Sequence, residues 1–270
     1  EACILQESQA EITSLDSRGA SMSSSGAIFR SSVANKKGLS LLLDSTLRRS
    51  HDMKVFGIGA VAEFASRESY RHFHSQRFHF YAAMERKFDQ EVREAASSTH
   101  RGIALVWPHF SADLRQKPSL LEDLAQVGVP SEAHMPPATP ATAAYILSIE
   151  QASPEALIGH FYCRYFADLF GGSMLGSPTA LALALPPPRF YSFPAVKQRG
   201  AYIESIYERI NAAGDLMDPA LQQQVALATE AAFAHNAEVI KEIGMLRISL
   251  RAVQGLANVS SAYVKKRLLG

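Results

Sequence analysis

Cysteine is scarce: Cys3 and Cys163 are the two in 270 residues. They lie far apart, and nothing in their spacing suggests a disulfide framework or a thiolate zinc site, so a reducing compartment is the simplest reading. An excess of either charge is also missing. The 27 Lys and Arg stand against 26 Asp and Glu, a formal +1, which leaves no overall electrostatic case for nucleic acid or an anionic membrane surface. No apolar run approaches the ~20 residues that cross a bilayer; "ALALALPPP", residues 180–188, is short and ends in three prolines. There is no phosphate-cradling glycine loop, nucleophile elbow, HExxH or CxxC. Alternating strand patterns of useful length and internal repeats are missing as well.

What remains is helical. The 47% hydrophobic content suffices for a sizeable core. Leu39, Leu43, Leu47 and His51 step by four and share one face. A second helix is predicted over about 58–96, with Phe73, Phe80, Tyr81, Met84 and Phe88 as its apolar side. A third covers "SADLRQKPSLLEDLAQVG" and is interrupted at Pro118. Thr139–Pro140 caps a short helix bearing Ile146, Leu147 and Ile149. Ser153-Pro154-Glu155 starts a helix that runs to about Gly176. Ile203, Ile206 and Ile210 mark a helix ending near Gly214. Asp218–Pro219 starts a long one with Leu221, Val225, Phe233, Val239, Ile243 and Leu246 inward. The expectation is an all-α, single-domain fold: a helical domain over 38–250, a polar, Ser-rich, flexible extension over 1–37 and a basic tail over 251–270. The first residue is Glu1, as in a processed chain, but residues 1–37 carry Glu7, Glu11 and Asp16 and do not read as a basic transit peptide.

The densest stretch is "GHFYCRYFADLFGGSMLG", residues 159–176. Arg164 and Asp168 are four apart and can touch on a helix. Gly171 and Gly172 follow one turn later, where glycine costs about 1 kcal/mol against alanine. Two readings are open: close helix packing through Gly172-x-x-x-Gly176, or backbone approach to a flat ligand with Asp168 held over it. His51 has two readings as well, a core histidine on an apolar face or a neutral imidazole ligand to heme iron. His72, His74 and His79 lack a metal-binding spacing and read as surface or interface residues. His160 and Cys163 are three apart without a partner pair, so Cys163 reads as packing.

Taken together, "STLRRSHDM", "RYFADLFGG", "FYSFP", "ERIN" and "AFAHN" resemble, in order and spacing, the heme oxygenase family from about Gly38 to Leu246. The surrounding "HFY…FA…GG.M.G" is closer still to its plastid branch in plants and algae. The resemblance implies a heme-oxygenase-like helical fold with His51 as the axial iron ligand. Asp168 holds the catalytic water, with Arg164 fixing its carboxylate. Arg48 and Tyr162 become candidate heme-propionate partners, and Gly171, Gly172, Phe233 and Asn236 line the heme. Heme is then both cofactor and substrate, opened with O₂ to biliverdin, CO and ferrous iron. The chain holds no flavin or iron–sulfur motif, so electrons come from an external donor, ferredoxin in the plastid branch. Four positions depart from the pattern. Phe170 replaces a small residue, Ile203 and Tyr207 stand where the family presents bases to the propionates, and Asp44 stands where some members have lysine. They carry an alternative, an inactive heme-oxygenase-like subunit of a larger, photosynthetic assembly, with residues 1–37 and "YVKKRLLG" for docking. A thiaminase-type hydrolase on the same scaffold would need an acid pair beside Cys163.

Overall fold

The computed structural model describes residues 36–50, 53–95 and 101–269, and every regular element among them is helical. α1 spans Gly38–Ser50, α2 Met53–Ala62, α3 Arg67–Glu94, α4 Ser111–Leu114, α5 Lys117–Ala125 and α6 Pro140–Gln151. α7, Ala156–Ala167, passes through a π-helical segment at Asp168–Gly172 into α8, Ser173–Leu183. α9 (Arg199–Gly214), α10 (Pro219–Lys241) and α11 (Met245–Leu269) follow. The extension over 1–35 and His51 lie outside the described residues.

The capping chemistry acts where the sequence places it. Thr139 Oγ1 accepts from the Thr142 N–H and Asp218 Oδ1 from the Leu221 N–H, each cap being followed by a proline that has no N–H to leave unpaired. Ser153 Oγ accepts from the Ala156 N–H at 3.2 Å. The expected helix over 58–96 is divided. A 3-10 turn at Glu63–Ala65 ends α2, and Ser66 caps α3 through the Ser69 N–H. The turn carries the buried Glu63 inward, where Arg77 and Tyr191 bond its carboxylate. Pro118 does not interrupt a helix; it sits in the first turn of α5. Glu85, reaching across from α3, accepts the preceding N–H groups of Gln116 (2.6 Å) and Lys117 (3.2 Å).

The apolar side of α3 (Phe73, Phe80, Tyr81, Met84 and Phe88) is buried as its spacing predicts. It packs against α5 and α6, while α1 packs on α9 and α10. A close crossing joins α7 to α10. There, a Cβ on Gly159 would meet the Val225 carbonyl oxygen at 2.6 Å and the Thr229 nitrogen at 2.7 Å. Only glycine lets the two backbones approach this far.

Three expectations need correction. His74 is not a surface residue: it is fully buried, its ring stacked on Tyr70 at 3.8 Å beneath Phe190 and Tyr191. Leu246 does not point inward, because α10 ends at Lys241 and Gly244, at φ +87°, turns the chain into a new helix that leaves Leu246 in solvent. Residues 251–270 are not set apart from the bundle. α11 docks through Ile248 and Ala252 onto Ala62 and Phe73, joined by Ile58, Val61, Ile240 and Ile243. Its Asn258 donates to the Phe64 and Ala65 carbonyls. The basic C-terminal residues obscure this in the sequence, since the docking face uses small and β-branched side chains.

Candidate functional site

α7 is apolar and aromatic on almost every side, and ten of its twelve residues are buried. Such a helix crosses a core, so a polar side chain on it needs a partner from a neighbouring element. Arg164 and Asp168 are the polar pair, and Asp168 is the first residue of the π-helical segment that Gly171 and Gly172 close. Glycine weakens the α-helical ladder locally, and a π turn inside an α-helix widens the backbone where it is often used. Pro178 lies in α8, so the helix is loosened at two places. The long helix continues through the π segment to Leu183 rather than ending near Gly176.

Four helices supply the side chains around Asp168. From α3, Tyr81 Oη donates to Asp168 Oδ2. From α7, Arg164 Nη2 stands 3.7 Å from Asp168 Oδ1. From α10, Asn236 Oδ1 accepts from Arg164 Nη1 at 2.8 Å, while its Nδ2 donates to the Ala232 carbonyl. The Arg164 guanidinium lies over the rings of Phe80 (5.0 Å) and Tyr81 (5.4 Å), also on α3. From α6, the Tyr145 ring lies tilted beside Phe80 at 5.1 Å. Burial pushes the Asp168 carboxyl above the usual range, while Arg164, the Tyr81 hydrogen bond and Arg77 pull it back and Glu63 pushes it up again. The balance leaves it raised, a carboxyl that holds a proton more readily than one in water. Arg164 stays charged, and its buried Nε has no hydrogen-bond partner within the protein. A buried donor of this kind is ordinarily met by water or a ligand.

Below this cluster lies a second one: Arg77 bonded to Glu63, Tyr191 Oη donating to Glu63 at 3.0 Å, and Arg77 3.3 Å from His74 Nδ1. The sequence pattern gave no sign of it, placed Tyr81 on an apolar face and did not single out Tyr145. Tyr81 is 87 residues from Asp168, so no local spacing could join them.

The other expected site residues divide. Asn236, Arg164 and Asp168 come together, and Phe233 is buried on the same helix as Asn236. Tyr162 is buried and stacked on Phe166 at 4.6 Å, and Phe166 stacks on Tyr207 at 5.0 Å. Burial holds the Tyr162 phenol protonated, with Tyr207, Asp44 and Arg48 in its electrostatic reach. Arg48 is paired with Asp44 at 2.7 Å on α1, its side chain 54% exposed. Ile203 and Tyr207 are both buried, so α9 presents no base at those positions. Phe170 is half-buried against Phe166. A Cβ on Gly176 would meet nothing nearer than Tyr191 at 3.5 Å, so the tight packing sits at Gly159 and not at Gly176. Burial pushes the Cys163 thiol up to about 12, an unreactive thiol. Among the described residues no three His, Cys, Asp or Glu side chains group to hold a metal ion.

His160 is buried, stacked on Tyr145 at 5.8 Å, and desolvation with His235 nearby lowers it to about 4. Unfolded, it titrates near ~6.5. The stability it contributes is therefore complete above about pH 6.5 and is lost as pH falls toward 4, by up to about 3 kcal/mol. Asp123, raised to about 6 by burial, runs the opposite way, losing stability as pH rises from its unfolded value of about 4 towards 6. That contribution is common to wild type and His160→Gln, so comparing the two isolates His160. The urea midpoint of wild type should fall relative to that of the variant between pH 7 and 4.5, and parallel profiles would remove the assignment.

Chemically, the Asp168 cluster can hold a proton at a fixed carboxylate oxygen, keep a guanidinium charge in place and order water beside a widened helix. Comparison with known proteins adds to this geometry. The family model described as Heme oxygenase matches residues 47–242. Heme oxygenase 1 of Pongo abelii is 28% identical over 198 residues, 71% of this chain and 64% of that protein. The chain thus spans just under two thirds of the length of that relative. Heme oxygenase of Rhodella violacea is 28% identical over 226 residues, 80% of this chain and 91% of that one. The crystal structure of heme oxygenase-1 from the cyanobacterium Synechocystis in complex with heme superposes with a TM-score of 0.65 at 24% identity, covering 83% of this chain and all of that one. That last likeness is one of fold.

Proposed function

Because the chain belongs to the heme oxygenase family, we propose that it binds heme between α1 and the α7–π–α8 helix and opens it with O₂ to biliverdin, CO and ferrous iron. The observation that carries this reading is the Asp168–Tyr81–Arg164–Asn236 cluster at the start of a glycine-closed π segment. The unpartnered Arg164 Nε and the raised Asp168 carboxyl fit a pocket that orders water against a ligand.

Bound heme supplies the iron at which O₂ is activated and the ring that is opened. The protein's part is positional. His51 would hold the iron from one side, with Arg48 and Tyr162 toward the propionates. Tyr81 fixes the Asp168 carboxyl by donating to Oδ2, and Asn236 anchors Arg164 so that its charge stays beside Oδ1. A carboxyl so held gives and retakes a proton through ordered water without leaving its place, the geometry general acid–base catalysis requires. Gly171 and Gly172 bring no side chain to the porphyrin face. Electrons come from outside, and the reading extends to ferredoxin as donor and the plastid as compartment. Support for that extension is the plastid-like "HFY…FA…GG.M.G" pattern and the likeness to the Rhodella violacea protein across most of both chains.

One observation favours a second reading, a catalytically inactive heme-oxygenase-like protein that serves as a structural or regulatory subunit of a larger complex. Ile203 and Tyr207 are buried, and Tyr207 continues the Tyr162–Phe166 stack, so propionate anchoring differs from the family's. Titrating the protein with heme in the visible range, beside His51→Ala, tests the primary reading. The expected result is a one-to-one complex whose Soret band shifts or vanishes in the variant. No heme binding at micromolar concentration, or binding with no bilin formed once a reductant and O₂ are added, would overturn it and favour the second reading.

A further inference from the structure

The formal charge of +1 conceals a local asymmetry. Residues 245–270 carry Arg247, Arg251, Lys265, Lys266 and Arg267 and no Asp or Glu. These residues form α11, which lies beyond the 47–242 stretch matched by the family model. One face of α11 is occupied by the bundle contacts of Ile248, Ala252 and Gly255. At 100° per residue, Leu246, Leu250, Val253, Ala257 and Val264 fall on a stripe opposite that face. The stripe is open to solvent: Leu246 is 75% exposed, Leu250 62%, Val253 68% and Val264 54%. Arg247 and Lys265 project from the same flank of the stripe, and Lys266 and Arg267 follow at the helix end. A continuous exposed aliphatic stripe on a helix already docked to its own bundle is not needed for folding.

We propose that α11 is a membrane-surface helix that lays its outer stripe into the headgroup boundary of an anionic bilayer, holding the bundle against the lipid. Two features select this occupant. α11 interrupts its apolar residues with Arg, Gln, Asn and Ser, and no helix among the described residues is long and apolar enough to cross a membrane, so it lies on the surface rather than spanning it. A second copy of the chain seated on the stripe would bring two helices together whose exposed bases, Arg247, Lys265 and Arg267 among them, meet no acid on either, which like-charge repulsion opposes. Anionic headgroups complement the bases while acyl chains take up the aliphatic stripe. The overall net charge therefore misled about membranes, because the acids that balance α11 lie elsewhere in the chain.

The test is co-sedimentation of the full chain with vesicles of phosphatidylcholine alone and of phosphatidylcholine with 30–40% phosphatidylglycerol. Binding is expected to the mixed vesicles only, weakening at least tenfold between about 50 and 500 mM salt as the Debye length shortens. Leu250→Glu/Val253→Glu should lose binding at least tenfold, and so should Lys265→Glu/Lys266→Glu/Arg267→Glu. All these positions face solvent, so circular dichroism and the thermal midpoint should stay at wild-type values and separate lost docking from lost folding. Equal binding to both vesicle types, no binding to either, or vesicle binding unchanged by both variants would overturn the proposal. So would a dimer in light scattering that the Leu250/Val253 variant dissociates while vesicles stay unbound.

Discussion

Asp168→Asn should lower biliverdin formation at least ~100-fold while heme affinity stays within about threefold of wild type. The substitution keeps the size of the side chain, and its amide oxygen can still accept from Tyr81. What it removes is the capacity of the raised carboxyl to take and give a proton, and the charge its ionised form sets beside Arg164 at 3.7 Å. A buried guanidinium deprived of its counter-charge is costly, several kcal/mol in comparable pairs. The Asn236 carbonyl and the rings of Phe80 and Tyr81 offset part of that here. Single-turnover absorbance, read beside a heme titration of the same sample, separates the two effects. Turnover within threefold of wild type would mean that Asp168 is a structural partner of Arg164 and that the proton comes from elsewhere.

Gly159→Ala should destabilise the fold by about 3 kcal/mol, a large effect for one methyl group. The added carbon meets the Val225 carbonyl and the Thr229 nitrogen, both backbone, so no rotamer relieves the contact. Thr229 Oγ1, the third neighbour, is already committed to the Val225 carbonyl. α7 and α10 must move apart, and the Arg164–Asn236 hydrogen bond spans the same pair of helices. Loss of stability and weakened turnover should therefore appear together in this variant. Gly176→Ala is the control. Its new methyl has room at 3.5 Å from Tyr191, and alanine favours helix by up to about 1 kcal/mol. Urea denaturation of the two variants checks the contrast, and equal midpoints would contradict the close crossing.

The fold was largely legible because its helices carry local signals. Thr139, Ser153 and Asp218 announce their starts, and the period of Phe73, Phe80, Tyr81, Met84 and Phe88 marks the inner face of α3. Breaks caused by distant partners were not legible. The 3-10 turn at Glu63 answers to Arg77 and Tyr191, and α5 begins where Glu85 captures its N–H groups. The same division holds at the site. Arg164 and Asp168 share a helix and were found by spacing, and Asn236 by resemblance. Tyr81 and Tyr145 arrive from other helices as aromatic residues with no local mark of a polar role. The glycine pair shows the limit of helix-based reasoning most directly. Read as a packing seam or as backbone approaching a flat ligand, Gly171–Gly172 closes a π segment inside a longer helix, while a tight helix contact lies at Gly159.

On the proposed function, the buried carboxyl cluster at the π segment after α7 serves the opening of bound heme. The most direct measurement is to load the purified chain with one equivalent of heme, add reduced ferredoxin and O₂, and follow the Soret and bilin bands together. The expected result is loss of the Soret band with matching growth of biliverdin absorbance in wild type. A heme complex that persists under reductant and O₂ without forming bilin would contradict it.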